Sequence, residues 1–345
     1  MRRALLRLPS REILHRVAVG ASVVLVVGLY FDGWWHGTFG RHSFWIPPHV
    51  VVYTGVGIMT GAWITRWWRD LREGRVLPPG YRVLGLAIAF TILAAPLDDF
   101  WHRTFGEEAS TSVLAFWSPP HLIGLLSAIA GALGVLSTLV REDPERRLYW
   151  WMVAQAAAVV GFATFVIIPL EPTGIYRVAG VAGPWLITFV LVGLRLMALS
   201  LLRRPGTATG IAAVITPLVI LLTRASGPAS FPPPMPAWVV ALPAFAGAAW
   251  LDLLARARPQ GMDQPRTLSR WGLGYTIVFA GLFYPAANAA RGSGWSAGEI
   301  GAMVAGASLM ALPAGRAAWW VARRLAGTAD ERPRHLATMG AERAR

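Results

Sequence analysis

Two short stretches in the first part of the chain combine Asp and His in the same order and with helical spacing. In each stretch an Asp is followed four residues later by a His, and a second His follows a Trp-x-Pro-Pro sequence. Residues four apart share one face of a helix, and Pro suits the first turn of the next helix. The two sets, named the first and second trio, are Asp32, His36 and His49, and Asp98, His102 and His121.

The side chains of each trio suit a transition metal. A short hairpin would return the last His over the Asp/His pair, so that two imidazole nitrogens and one carboxylate converge. That ligand set, with positions left for water or substrate, suits copper, zinc or non-haem iron. The chain contains no Cys, which excludes thiolate ligands and disulfides. The trios therefore predict two metal sites held by nitrogen and oxygen ligands.

Electrostatics also favour a cation at these positions. An Asp in the last turn of a helix faces the negative end of the helix dipole, at a cost of up to about 1 kcal/mol. A carboxylate at membrane depth costs a further ~2.5 kcal/mol or more. A divalent cation offsets both costs, while the positive start of the next helix disfavours a protonated His49 or His121 and keeps a nitrogen free to bind.

Other polar side chains near the trios are candidates for hydrogen bonding to the ligands or for handling protons. They are His42, Asp99, Glu107 and Glu108. The simpler interpretation is that all four are solvated loop residues. The two remaining histidines, His15 and His335, are interpreted as solvated residues on the cytoplasmic side.

Ten apolar segments would position these residues. Of the 345 residues 55% are hydrophobic and 14% charged, whereas soluble proteins carry about 25% charged residues. The segments are long and continuous rather than alternating, so helices are expected instead of spanning strands. We predict an all-α, polytopic transmembrane bundle of about ten helices, of which the seventh is short. The segments are 17–35, 48–65, 81–101, 120–140, 148–169, 182–202, 208–223, 237–255, 271–289 and 299–322.

The net charge of +14 reflects Arg without any Lys, and most of the arginines lie between the apolar segments. This pattern indicates membrane topology rather than nucleic-acid binding. Both termini and the even-numbered connections are rich in Arg, whereas the odd-numbered connections carry about one each. The positive-inside rule then predicts a multi-pass protein of the plasma membrane, with both termini cytoplasmic and both trios at the extracytoplasmic face. The Arg residues of the odd-numbered connections are Arg41, Arg103, Arg177, Arg224 and Arg291.

The two stretches predict an internal repeat of a helix hairpin, in which Asp98 follows Asp32 by 66 residues. Repeats of this kind point to functional sites in membrane proteins. The predicted organisation is a basic cytoplasmic segment at 1–16, a duplicated metal-site module at 17–140, further transmembrane helices at 141–325 and a disordered cytoplasmic tail at 326–345.

At these residues the chain resembles the C subunit of the copper membrane monooxygenases, the particulate methane and ammonia enzymes. That family binds copper through Asp-x3-His-x12-His, and the first trio matches this spacing in full. The second trio looks like the family's second site, with Asp98 where the family pattern has Asn and with Glu107-Glu108 echoing its acidic pair. The resemblance covers about residues 17–125 and implies copper more firmly than oxygenase activity.

The leading hypothesis is a copper-binding membrane oxidoreductase or monooxygenase-like subunit. Its expected partners are the lipid bilayer, other membrane subunits and a small lipophilic substrate, with no role for nucleic acid. Three alternatives stay open: a metal or proton transporter, a haem protein that uses His49 and His121, and a structural or assembly protein. The transporter would need polar residues continuing inward, and the sequence offers Asp252 near the cytoplasmic end of the eighth segment.

Overall fold

The structure is a computed structural model that describes residues 8–39, 45–105, 117–171, 179–224 and 235–327. Ten α-helices make up almost all of these residues, and the described part of the chain contains no β-strand. The predicted all-α bundle of about ten helices is confirmed. The helices are α1 Arg11–Phe39, α2 Pro47–Arg72, α3 Pro79–Phe105, α4 Pro119–Glu142, α5 Tyr149–Ile167, α6 Gly183–Leu202, α7 Thr207–Thr223, α8 Ala237–Ala257, α9 Pro265–Arg291 and α10 Ala297–Ala326.

Eight of the ten helices are long and apolar enough to cross a bilayer, so the chain is a multi-pass membrane protein. The exceptions among the described helices are α2 and α7. Helix α2 has 26 residues but carries Arg66, Arg69, Asp70 and Arg72 in its second half. Helix α7 has 17 residues, short of the roughly 20 that a perpendicular span needs.

Several helices extend beyond the predicted segments, and α1 and α10 are among those that cross predicted domain boundaries. Helix α1 begins at Arg11, so residues 11–16 are helical rather than part of a separate basic segment. Helix α10 extends to Ala326, the first residue of the predicted tail. Hydropathy misses both ends because charged residues can extend a helix beyond the hydrocarbon at no cost in buried charge. Residues 328–345 lie outside the described part of the chain.

Helix α5 lies at the centre of the bundle, where it contacts α1, α4, α6 and α7. Most of its side chains are buried. Gln155, fully buried in α5, donates a hydrogen bond of 2.9 Å to the Ala132 carbonyl of α4. A buried amide needs such a partner because the membrane interior supplies no water.

Two helix hairpins precede this central helix. Helix α1 packs along α2, and α3 packs along α4. In both hairpins the first helix ends, and the second begins, at one end of the bundle, which we name the site end. At the opposite end His15 of α1 contacts Glu142 of α4, and Ser137 of α4 donates a hydrogen bond to the Leu325 carbonyl of α10.

Candidate metal centres

The first trio lies where α1 ends and α2 begins. The helical spacing of α1 brings His36 Nε2 within 3.3 Å of Asp32 Oδ1. Pro47 and Pro48 occupy the first turn of α2, as predicted, and place His49 in the same turn. His49 Nε2 lies 3.2 Å from the same Asp32 oxygen. One carboxylate oxygen therefore faces two imidazole nitrogens.

The second trio has nearly the same geometry between α3 and α4. His102 Nε2 lies 3.2 Å from Asp98 Oδ1, and His121 Nε2 lies 3.0 Å from that oxygen. The imidazole ring centroids are 5.9 Å apart in this trio and 6.1 Å apart in the first. Pro119 and Pro120 begin α4 as Pro47 and Pro48 begin α2. The six side chains thus form two groups of the same shape.

The separations fit ligands of a single metal ion. In each group the candidate ligand atoms all lie within 4.8 Å of one another. Two ligands about 2.1 Å from an ion are about 3.0 Å apart at a right angle and about 3.4 Å apart at the tetrahedral angle. The carboxylate-to-imidazole distances of 3.0–3.3 Å fall in this range. Small side-chain movements would suffice to place a cation between the three groups.

The two groups differ in which ligand is accessible. In the first trio the side chains of Asp32, His36 and His49 are 20%, 31% and 14% exposed. In the second trio Asp98 and His102 are each 11% exposed, whereas His121 is 33% exposed. The first group is therefore open at the end of α1, and the second is open at the start of α4.

The Trp of the Trp-x-Pro-Pro-His sequence has a different environment at each site. Trp117 donates a hydrogen bond of 2.7 Å to the Val166 carbonyl of α5, which fixes the start of α4 against the central helix. Trp45 is 70% exposed and its ring lies 6.1 Å from that of Tyr53. The Trp of the second site is therefore attached to the central helix, whereas the Trp of the first site is mostly exposed.

The other candidates from the sequence have mixed outcomes. Asp99 accepts an ion pair of 2.8 Å from Arg103 on its own helix and is 37% exposed, which fits the simpler interpretation of a solvated residue. His42, Glu107 and Glu108 lie outside the described residues. Asp252 does not continue a polar path: its carboxylate accepts hydrogen bonds from the Ala208 and Thr209 amides and caps the start of α7.

The interpretation of His15 as a solvated residue is wrong. His15 is 3% exposed and forms an ion pair of 2.9 Å with Glu142, while Tyr81 lies 3.2 Å from its other ring nitrogen. The fully buried Arg66 bonds Asp70 and Glu142 in the same network. The three partners of His15, which are Arg66, Tyr81 and Glu142, lie on three other helices and at least 51 residues away in sequence, so no local pattern could reveal them.

A scan of protein-family models, a search of curated proteins and a search of solved structures each gave no match for this chain. The chain is thus defined by its own features: a multi-pass helical membrane protein with two candidate metal-binding groups at one end. The resemblance to the copper membrane monooxygenases stays a prediction carried by the motif residues.

Proposed function

We propose that this protein binds two transition-metal ions, one in each trio, and acts as a copper-dependent, monooxygenase-like membrane oxidoreductase subunit. The observation that carries the proposal is the convergence of the six predicted ligands into two groups of one carboxylate and two imidazoles. Bound copper would supply the redox chemistry and an open coordination position. The chain's own residues would hold the ion and shape its surroundings.

Charge balance supports a cation at the first trio. Within the described residues, the ion-pair partners of Asp32 are His36 and His49. With neutral imidazoles the trio carries one negative charge near the end of a membrane helix, where an uncompensated carboxylate is costly. A divalent cation neutralises it and accepts lone pairs from both rings.

Aromatic side chains next to the first trio support a lipophilic substrate. Phe31 stacks on Trp34 with ring centroids 5.9 Å apart, and Trp35 lies 4.8 Å from Phe39. These rings surround the last turns of α1, the helix that supplies Asp32 and His36. They place apolar side chains next to Asp32 and His36 along the helix.

The similar shape of the two trios also supports the proposed duplication of the hairpin.

The test is elemental analysis combined with X-ray absorption on purified, copper-reconstituted protein. We expect two copper ions per chain with nitrogen and oxygen ligands, and one ion per chain in both His49→Ala and His121→Ala. A content below one transition-metal ion per chain after reconstitution would exclude the proposal. Zinc bound instead of copper would keep the sites but reject the oxidoreductase assignment, because zinc has no redox chemistry. Iron bound instead of copper would keep the sites and reject copper as their metal. A Soret band would support the haem alternative.

A further inference from the structure

The half of the chain whose sequence shows no motif encloses a cavity. The cavity has a volume of about 210 Å³ and lies among helices α5 to α9. Its wall is mostly apolar and includes Ile215, Val219, Leu222, Phe279 and Phe283. The cavity is separate from the six candidate metal ligands, and the inference below does not depend on them.

A buried cation lines this apolar cavity. Arg195 of α6 is 8% exposed and forms part of the cavity wall. It lies 12 residues after the start of α6 at Gly183, which places it about 18 Å along the helix, well inside the span. A charged side chain at such a depth costs at least ~2.5 kcal/mol, and intramembrane Arg residues generally mark functional sites.

The described protein groups satisfy this guanidinium only in part. Its Nη1 donates a hydrogen bond of 3.3 Å to the Leu191 carbonyl of its own helix. Its charged carbon lies 5.8 Å from the centre of the Tyr275 ring. No side chain or carbonyl in the described part of the chain accepts a hydrogen bond from the buried Nε. Arg has five N–H donors, so several remain for a ligand.

The charge of the cavity wall selects the sign of that ligand. Arg195 and Arg291 line the cavity, and Glu171 is the carboxylate among its described lining residues. Among the described lining residues, two positive charges and one negative charge leave a formal charge of +1. A guanidinium binds carboxylate or phosphate oxygens in a planar, two-pronged arrangement. One anionic headgroup would therefore neutralise the wall and satisfy Arg195.

We propose that this cavity binds an amphiphile that carries one anionic oxygen headgroup on an apolar chain. The headgroup bonds Arg195, and the chain lies against the apolar wall. A cavity of about 150 Å³ accommodates benzene, so 210 Å³ accommodates about eight carbon-sized atoms by the same scale. Octanoate, which has eight carbon atoms, is the probe for a fatty-acid source, and octyl phosphate represents the same chemistry from a phospholipid source.

The experiment measures binding of octanoate, octyl phosphate and octanol to full-length protein in nonionic detergent, from the ligand-dependent rise in the unfolding temperature. We expect at least one anion to bind about tenfold more tightly than octanol, because a charge-assisted hydrogen bond contributes a binding free energy of about that size. Octanoate as the tighter ligand indicates a free fatty acid as the source, and octyl phosphate a phospholipid. Arg195→Gln should weaken the preferred anion by a similar factor and leave octanol unchanged.

Two further variants keep the test independent of the folding of Arg195→Gln. Ala280→Leu, at a buried residue of the cavity wall, fills the space without changing charge and should weaken all three ligands. Arg203→Gln is the matched control, because Arg203 is 63% exposed and pairs with Asp263 outside the cavity; its affinities should equal those of the wild type. Equal binding of octanol and both anions, no binding of either anion, or unchanged anion affinity in Arg195→Gln would overturn the proposal.

Discussion

Each candidate metal site depends on one carboxylate oxygen that faces two imidazole nitrogens. If the oxygen is removed, the two nitrogens remain but the negative charge that attracts the cation is lost. The second site offers a matched pair of residues for testing this point. Asp98 faces His102 and His121, whereas its neighbour Asp99 pairs with Arg103.

We therefore expect Asp98→Ala to lose the metal ion of the second site and Asp99→Ala to keep both ions. Loss of one ligand from a three-ligand site typically weakens binding by much more than the 10–100-fold effect of changing a supporting residue. The measurement is metal content per chain after dialysis against a weak chelator. Equal loss in the two variants would contradict the assignment of Asp98 as a ligand.

The buried network at the opposite end predicts a large effect on stability. Arg66 and Asp70 form an ion pair of 2.7 Å with side chains 1% and 2% exposed. Arg66→Met leaves Asp70 with Arg11 and Glu142 with His15 as partners and should lower the free energy of unfolding by about 1–3 kcal/mol, because buried charge-assisted hydrogen bonds are lost. Glu12→Gln removes an exposed pair with Arg16 and should cost below about 1 kcal/mol. Denaturant titration measures the free energy of unfolding of both variants. Similar small losses would show that the network contributes little to stability.

The residues that the sequence predicted are those whose geometry is local. Asp32 and His36 are one helical turn apart, and a Pro-Pro pair sets the position of His49, so spacing alone indicated their convergence. Arg195 and His15 were missed because their surroundings are set by distant helices. His15 contacts Glu142, which is 127 residues away in sequence. The spacing of hydrophobic residues within a helix carries no information on such a contact.

At the scale of the elements, α3 and α4 approach each other closely through two glycines. A Cβ on Gly134 would lie 2.3 Å from the Gly80 carbonyl oxygen, which is backbone and cannot turn aside. Small residues at helix interfaces allow such packing in membranes, where van der Waals contact drives association. This contact holds together the hairpin that presents the second trio.

Gly134→Ala should therefore destabilise the protein by about 1–3 kcal/mol, the usual cost of overpacking. Gly57→Ala is the matched control, since a Cβ there meets nothing within 4 Å, and Ala should be neutral or stabilise α2 by up to about 1 kcal/mol. Denaturant titration measures both. A stable Gly134→Ala variant would show that the hairpin can separate at no cost.

The number and order of the helices were predictable because long apolar runs have few other solutions in a bilayer. The ends of the helices were less predictable, because α1 and α10 extend into charged sequence. The role of α2 was also not evident. Its second half carries the buried Arg66 and Asp70, which pair with each other and with Glu142 of α4 and Arg11 of α1.

At the scale of the whole molecule, orientation in the membrane remains a prediction from the Arg distribution. The chain has no Cys, so single introduced thiols can report it without background labelling. Glu145, 67% exposed, lies between α4 and α5 at the opposite end, and Ala297 begins α10 at the site end. An impermeant maleimide should label Ala297→Cys in intact cells and label Glu145→Cys only after permeabilisation. The reverse pattern would place the trios on the cytoplasmic side.

Leu222 of α7 lies between the cavity and the first trio. It lines the cavity, and a Cβ on Gly33 would lie 2.8 Å from its Cδ1, so it presses on the backbone directly after Asp32. If an amphiphile that binds in the cavity shifts Leu222, then binding of the amphiphile and binding of a metal ion at the first trio become thermodynamically linked. Linkage is reciprocal: the factor by which octanoate changes copper affinity at that trio must equal the factor by which copper changes octanoate affinity.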